Sequence, residues 1–210
     1  AEIVDEFDTI IDNKTKSKMK RERKNDLSRF FEREAPQEQV SSHLQMITMQ
    51  FLVSNEEAFR DYKYINQNVL RRLISTSVKR VDMSYLMTTR NEAIPLPKLA
   101  KLFTKGELSD RYILVLEGRV RVKIGQSDMA FEAGPFQSFG QELLEKLLTE
   151  VHTRKILFID SEIEIAERRS DLIFTPDYEV TITDDCTYLE ITAASFLNAC
   201  RSSLMMLKEG

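Results

Sequence analysis

The sequence predicts an α+β fold: an antiparallel β-roll with helices from both flanks packed against it. Residues 101–140 hold five of the chain's six glycines, Gly106, Gly118, Gly125, Gly134 and Gly140. Between them lie short runs rich in β-branched and aromatic residues. Glycine tolerates the positive φ of tight turns, so this spacing reads as strand, turn, strand. On both sides of the stretch, apolar residues recur at helical spacing instead.

Within the roll, Tyr112, Ile113, Leu114, Val115 and Leu116 form an apolar run of buried-strand length. Val120, Val122 and Ile124 alternate with Arg121 and Lys123, which makes one face apolar and one wet. Residues 129–131 make another short strand.

Upstream, Ile3, Phe7 and Ile10 share a helical face, and 2–11 reads as the end of an amphipathic helix from a preceding segment, with Ala1 as the start of a cut-out piece. Residues 14–24 are basic: Lys14, Lys16, Lys18, Lys20, Arg21, Arg23 and Lys24 against Glu22 alone. A solvated linker explains them; attraction to an anionic membrane, at about 1 kcal/mol per basic residue, is the functional alternative. Residues 26–36 read as a short helix or turn that Pro36 stops. A stronger helix covers 37–53, with Val40, Leu44, Ile47 and Phe51 on one stripe and Met46, Met49 and Leu52 widening it. So broad a stripe suits two buried faces, one in the domain and one against a partner.

Ser54-Asn55-Glu56-Glu57 reads as a helix start, a capping side chain followed by acids. Asn66 opens a further helix over 66–75, with Val69, Leu70, Leu73 and Ile74 inward and Arg71 and Arg72 outward. Residues 78–87 are extended, and Pro95 and Pro97 bar a helix before the roll.

Downstream, 141–150 is a short helix with Leu143, Leu144, Leu147 and Leu148 on one side. Residues 151–173 read as a charged insertion, with one or two strands at 156–165 and a charged turn at 167–171. Tyr178, Val180 and Ile182 alternate with Glu179 and Thr181 as a strand, and 188–191 is another. Asp184-Asp185 between them is a tight turn. A closing helix spans 193–207, with Phe196, Leu197, Cys200 and Leu204 on its inner stripe.

Composition narrows the function. A net charge of −4 argues against general nucleic-acid binding, which needs a basic face. Cys186 and Cys200 do not make a disulfide framework and read as free thiols of a reducing compartment. No apolar run approaches the roughly 20 residues of a membrane helix, and the acidic N-terminus is not a signal peptide, so a cytosolic domain is expected. His43 and His152 are too few for the His-rich metal site of a cupin-type roll. Neither cysteine has a CxxC partner, and no Gly-x-Ser-x-Gly or phosphate-binding glycine loop occurs. No enzyme, metal site or resident cofactor is expected.

The roll with its Phe-Gly turn opening a helix resembles a cyclic-nucleotide-binding domain. Three stretches are closer to one branch: Leu102-Phe103-Thr104-Lys105, Ile113-Leu114-Val115-Leu116-Glu117-Gly118-Arg119-Val120 and Met129-Ala130-Phe131-Glu132-Ala133-Gly134-Pro135-Phe136. They resemble the cyclic-nucleotide-binding homology domain of the CNNM proteins, also called cyclin M or ancient conserved domain proteins, a family of magnesium-transport proteins. The likeness resumes at Phe174-Thr175-Pro176-Asp177-Tyr178. At the other end, Glu2-Ile3-Val4-Asp5-Glu6 and Asp12-Asn13-Lys14-Thr15-Lys16 resemble the exit of the family's CBS pair and its linker. The resemblance implies that 1–25 is the end of an upstream CBS-pair helix plus a basic linker, and that 26–210 is the homology domain with the insertion at about 151–173. It also implies a cytosolic regulatory and dimerising domain of a plasma-membrane protein of Mg²⁺ efflux or homeostasis. The partners implied are a second copy and the protein's own CBS and transmembrane domains, with Mg-ATP in the CBS pair outside this chain.

The resemblance also says where a nucleotide would sit. A working site has Phe-Gly-Glu, whose carboxylate holds the ribose, and an Arg a few residues on that neutralises the cyclic phosphate. Here the turn is Phe139-Gly140-Gln141, and the nearest Arg is Arg154, set between His152-Thr153 and Lys155. Gln141 forgoes a charge-assisted bond of about 1.5–3 kcal/mol. Glu142 and Glu145 would stand beside the phosphate. The expectation is a degenerate pocket at Phe139, Gly140, Gln141 and Arg154 that binds no cyclic nucleotide. The alternatives are a functional cAMP or cGMP sensor and an adaptor roll that binds a protein through the helix at 40–53.

Overall fold

The computed structural model describes residues 35, 37–84, 98–126, 129–153 and 172–209. The expected features at 2–11 and 14–24, the segment 26–36 apart from Ala35, Pro95, Pro97, and the strands and charged turn at 156–171 lie outside them.

Helix α1 (Ser42–Asn55) and a 3-10 turn (Glu57–Phe59) lead to helix α2 (Gln67–Ser77) and strand β1 (Val78–Val81). After a 3-10 turn (Lys98–Ala100) come β2 (Lys101–Phe103), β3 (Arg111–Glu117), β4 (Val120–Ile124), β5 (Ala130–Ala133) and β6 (Ser138–Phe139). Helix α3 (Gln141–His152), strands β7 (Tyr178–Ile182) and β8 (Cys186–Thr192), and helix α4 (Ala193–Glu209) complete the order. The strands form two antiparallel four-stranded sheets, β1-β8-β3-β6 and β2-β7-β4-β5. The α+β roll expected from the sequence is the fold. No helix of the described residues is long and apolar enough to cross a membrane.

Register decides which face each side chain takes, because side chains directly opposite in a ladder point the same way. Arg111 lies opposite Thr192, Ile113 opposite both Glu190 and Phe139, and Lys79 opposite Tyr188. These residues therefore share one face. That face meets the second sheet: Arg111 lies over the Phe103 ring, 5.6 Å from its centroid, and Phe139 stands 6.2 Å from Tyr178. Tyr112, on the opposite face, meets the helical layer through Phe59, which also packs edge-on against Phe196 of α4 at 5.5 Å. Tyr112 through Leu116 are all buried. Covering each such side chain on both faces contributes about 1.5–3 kcal/mol.

An ion triad lies on the inner face. Glu190 accepts from Lys79 at 2.6 Å and from Arg111 at 2.9 Å, and its side chain is only 8% exposed. The Arg111 guanidinium also donates to the Leu102 carbonyl.

Several elements differ from the sequence reading. Helix α1 begins at Ser42, not at 37, because Gln37 bridges Lys79 and the Glu38 N–H donates to Val78 O at 2.9 Å. Those residues extend along β1, and Ser41 caps the helix by accepting from the Leu44 N–H at 3.2 Å. The inner seam of α1 runs through Thr48 and Leu52, while Leu44, Ile47, Met49 and Phe51 are half-buried and Met46 is exposed. Ser54-Asn55-Glu56-Glu57 does not start an α-helix; it ends α1 and opens only the 3-10 turn. Ile124 and Phe131 are exposed near the end of the β4–β5 ladder, so the expected apolar face of β4 holds only for Val120 and Val122. Of the five glycines in the roll, Gly134 lacks positive φ, and Phe136 takes the left-handed conformation in that turn instead (φ 64°). At Gly118 the need for glycine is steric as well, since a Cβ would come within 2.0 Å of the Asp185 carbonyl. The Asp184-Asp185 turn is where it was expected, and the Asp185 carboxylate accepts from the Ser84 N–H at 2.7 Å and from its hydroxyl at 2.9 Å.

Breaking the inner triad should be costly. Glu190→Gln leaves two cations facing a neutral amide and is expected to lower stability by about 3 kcal/mol. Glu132→Gln, in the exposed pair with Arg119, should be nearly neutral. Urea denaturation of both variants measures the difference.

Candidate functional site

Strand β6 and helix α3 meet at Phe139-Gly140-Gln141, so the sequence placed this turn correctly. Gly140 is the N-cap of α3 at φ 87°, ψ 26°. A Cβ there would stand 2.3 Å from the Arg111 carbonyl, so only glycine fits.

The polar groups of the turn are engaged within the chain. The Gly140 N–H donates to the Tyr178 hydroxyl at 3.0 Å, and that hydroxyl donates to the Glu142 carboxylate at 3.4 Å. Gln141 Nε2 folds back onto Ser138, donating to its carbonyl at 3.1 Å and its Oγ at 2.7 Å. The Tyr178 ring packs between Phe103, at 5.6 Å, and Phe139. Burial first, and Glu142 second, push the Tyr178 hydroxyl above its ordinary range, so it stays neutral. An anion arriving at this helix N-terminus would meet Glu142 in the first turn.

A residue that the sequence reading took for a helix-start acid supports the turn from behind. Glu56 is the C-cap of α1, where its N–H donates to Leu52 O. Its carboxylate accepts from the buried Tyr112 hydroxyl at 2.8 Å and from the Ser138 hydroxyl at 3.2 Å. A continuous polar path therefore runs from Tyr112 through Glu56 and Ser138 to Gln141. No local sequence signal marks it, because its members come from four separate elements: β3, the end of α1, β6 and the start of α3.

The structure brings Phe139, Gly140 and Gln141 together; Arg154 lies outside the described residues. His152 is the last residue of α3, and its ring stands edge-on to Tyr64 at 5.4 Å. His43 is exposed on α1. Cys186 and Cys200 are buried free thiols, each pushed up to about 12 by burial, and so are poor nucleophiles at neutral pH. Among the described residues, no group of three or more His, Cys, Asp or Glu is placed to hold a metal ion.

Two four-stranded antiparallel sheets, flanking helices and a Phe-Gly turn that opens a helix define a cyclic-nucleotide-binding-like fold. Residues 12–206 match the family described as "Metal transporter CNNM2-like, C-terminal CNBH domain", and the chain belongs to this family. It is 49% identical over 207 residues to "Metal transporter cnnm-1" of Caenorhabditis elegans, covering 98% of this chain and 25% of that protein. It is 28% identical over 202 residues to "Metal transporter cnnm-2" of the same organism, covering 96% of this chain and 24% of that protein. The chain thus spans about a quarter of the length of these curated relatives. Among solved structures it is similar to a cyclic nucleotide-binding-like protein from Brucella abortus, at 12% identity and a TM-score of 0.42, covering 72% of this chain and 95% of that one.

Tyr178→Phe removes the acceptor of the Gly140 N–H. It is expected to lower stability by about 1–2 kcal/mol while leaving the fold intact. Denaturation gives the loss, and faster amide exchange at Gly140 locates it.

Proposed function

We propose that this chain is a non-catalytic, cytosolic regulatory and assembly domain of a magnesium-transport protein, and that its roll binds no cyclic nucleotide. One observation carries the second half. The Gly140 N–H, the Gln141 amide and the Tyr178 hydroxyl are already engaged with one another's neighbours, and Glu142 adds a negative charge where the phosphate would arrive. A nucleotide would have to break these bonds and desolvate beside a carboxylate. Membership of a family described as metal transporters supports the transport context.

Calorimetric titration with cAMP and cGMP to millimolar ligand is expected to give no heat from this turn. Saturable one-to-one binding that Gln141→Ala weakens would make the chain a second-messenger sensor and overturn the reading.

The assembly role implies a homodimer. Half-buried Leu44, Ile47, Met49 and Phe51 with exposed Met46 on α1, and exposed Met205, Met206 and Leu207 at the end of α4, leave apolar surface for a second copy. Sedimentation at tens of micromolar should show the dimer; monomer alone would refute it.

A further inference from the structure

We infer that the roll carries a second pocket, separate from the Phe139-Gly140-Gln141 turn, that takes a small phosphorylated molecule. A cavity of about 690 Å³ opens where β1, β3 and β8 meet β2, and no residue of the turn lines it. Its size lies within the roughly 300–1,000 Å³ of small-molecule sites.

The chemistry of its wall selects the ligand. Lys79, Lys98, Lys101 and Arg111 line it, against Glu107, Asp110 and Glu190. Glu190 is shared between Lys79 and Arg111. Among the described residues no carboxylate is ion-paired with Lys98 or Lys101, and both are exposed. Four cations against three carboxylates leave this lining with one positive charge in excess, which favours an acceptor-rich anion over a metal ion.

Arg111 is held in place before any ligand arrives. Glu190, the Leu102 carbonyl and the Phe103 ring fix its guanidinium from three directions. Little side-chain entropy remains to be lost when it meets an anion. Buried Leu99, Leu102 and Tyr188 supply an apolar wall for the part of the molecule that carries the phosphate. A phosphate, with its several acceptor oxygens, can take bonds from more than one of these cations.

The test is calorimetry of the 210-residue chain with inorganic pyrophosphate and with adenosine 5′-monophosphate. One-to-one binding of at least one of them is expected. The double variant Lys98→Glu/Lys101→Glu changes two exposed residues and should weaken that binding by about tenfold or more. Lys63→Glu, an exposed lysine before α2 and outside the cavity lining, should leave it unchanged. Circular dichroism and a thermal melt check that each variant is folded. No saturable heat from either molecule up to about 5 mM, a limit set by millimolar affinity, would overturn the inference. So would equal affinity in the folded double variant, or an equal loss in Lys63→Glu.

Discussion

Residues Tyr112 to Leu116 have no exposed face, and each of their side chains has to meet a covering layer. Tyr112 sends its ring against Phe59 and its hydroxyl to Glu56, which draws the end of α1 and the following 3-10 turn onto the sheet. Phe59 then bridges to Phe196, which places α4. On the other side, Ile113 and Val115 face the second sheet, beside Phe139, Arg111 and Glu190. A buried tyrosine hydroxyl without a partner would cost about 1–3 kcal/mol, so the Glu56 contact fixes the docking of the helical layer as much as apolar packing does. Once β3 is covered on both faces, the position of nearly every other element follows.

The same constraint shapes the interior polar groups. The space between the sheets is not wholly apolar: Glu190 and its two cations occupy one part and the Tyr178 hydroxyl another. Both clusters are internally bonded, as buried polar groups must be. Among the described residues no buried side-chain nitrogen or oxygen lacks a hydrogen-bond partner. They differ in what remains available. Around Tyr178 the donors are used and the nearest surplus charge is the negative Glu142. Around Arg111 the surplus is positive and borders open volume.

Much of the fold was legible in the sequence because local pattern and tertiary demand agree there. The five-residue apolar run became β3, the Asn66 cap opened α2 one residue later, and the Phe-Gly pair opened α3. Misreadings fell where a neighbour from elsewhere in the chain intervened. Residues 37–38 left their helical pattern because β1 offered them hydrogen-bond partners. Glu56 looked like an N-terminal helix acid, yet its carboxylate is drawn to a tyrosine 56 positions further on. Thr48, a polar residue within an apolar stripe, sits at the buried seam because its hydroxyl bonds back to the Leu44 carbonyl at 2.7 Å.

The sequence by itself determined the roll, its turns and the position of the Phe139-Gly140-Gln141 corner. Strand alternation and the glycine left-handed conformation are properties of neighbouring residues, readable without knowing what packs where. Only the tertiary structure decided that Tyr178 supplies the acceptor for Gly140, 38 positions away. It alone turned Glu190, set between Leu189 and Ile191, inward onto Lys79 and Arg111. Alternation assigns residues to two faces but does not say which face is covered by sheet, which by helix and which by water. That choice depends on cross-strand register and on how the two sheets and the helical layer close over one another.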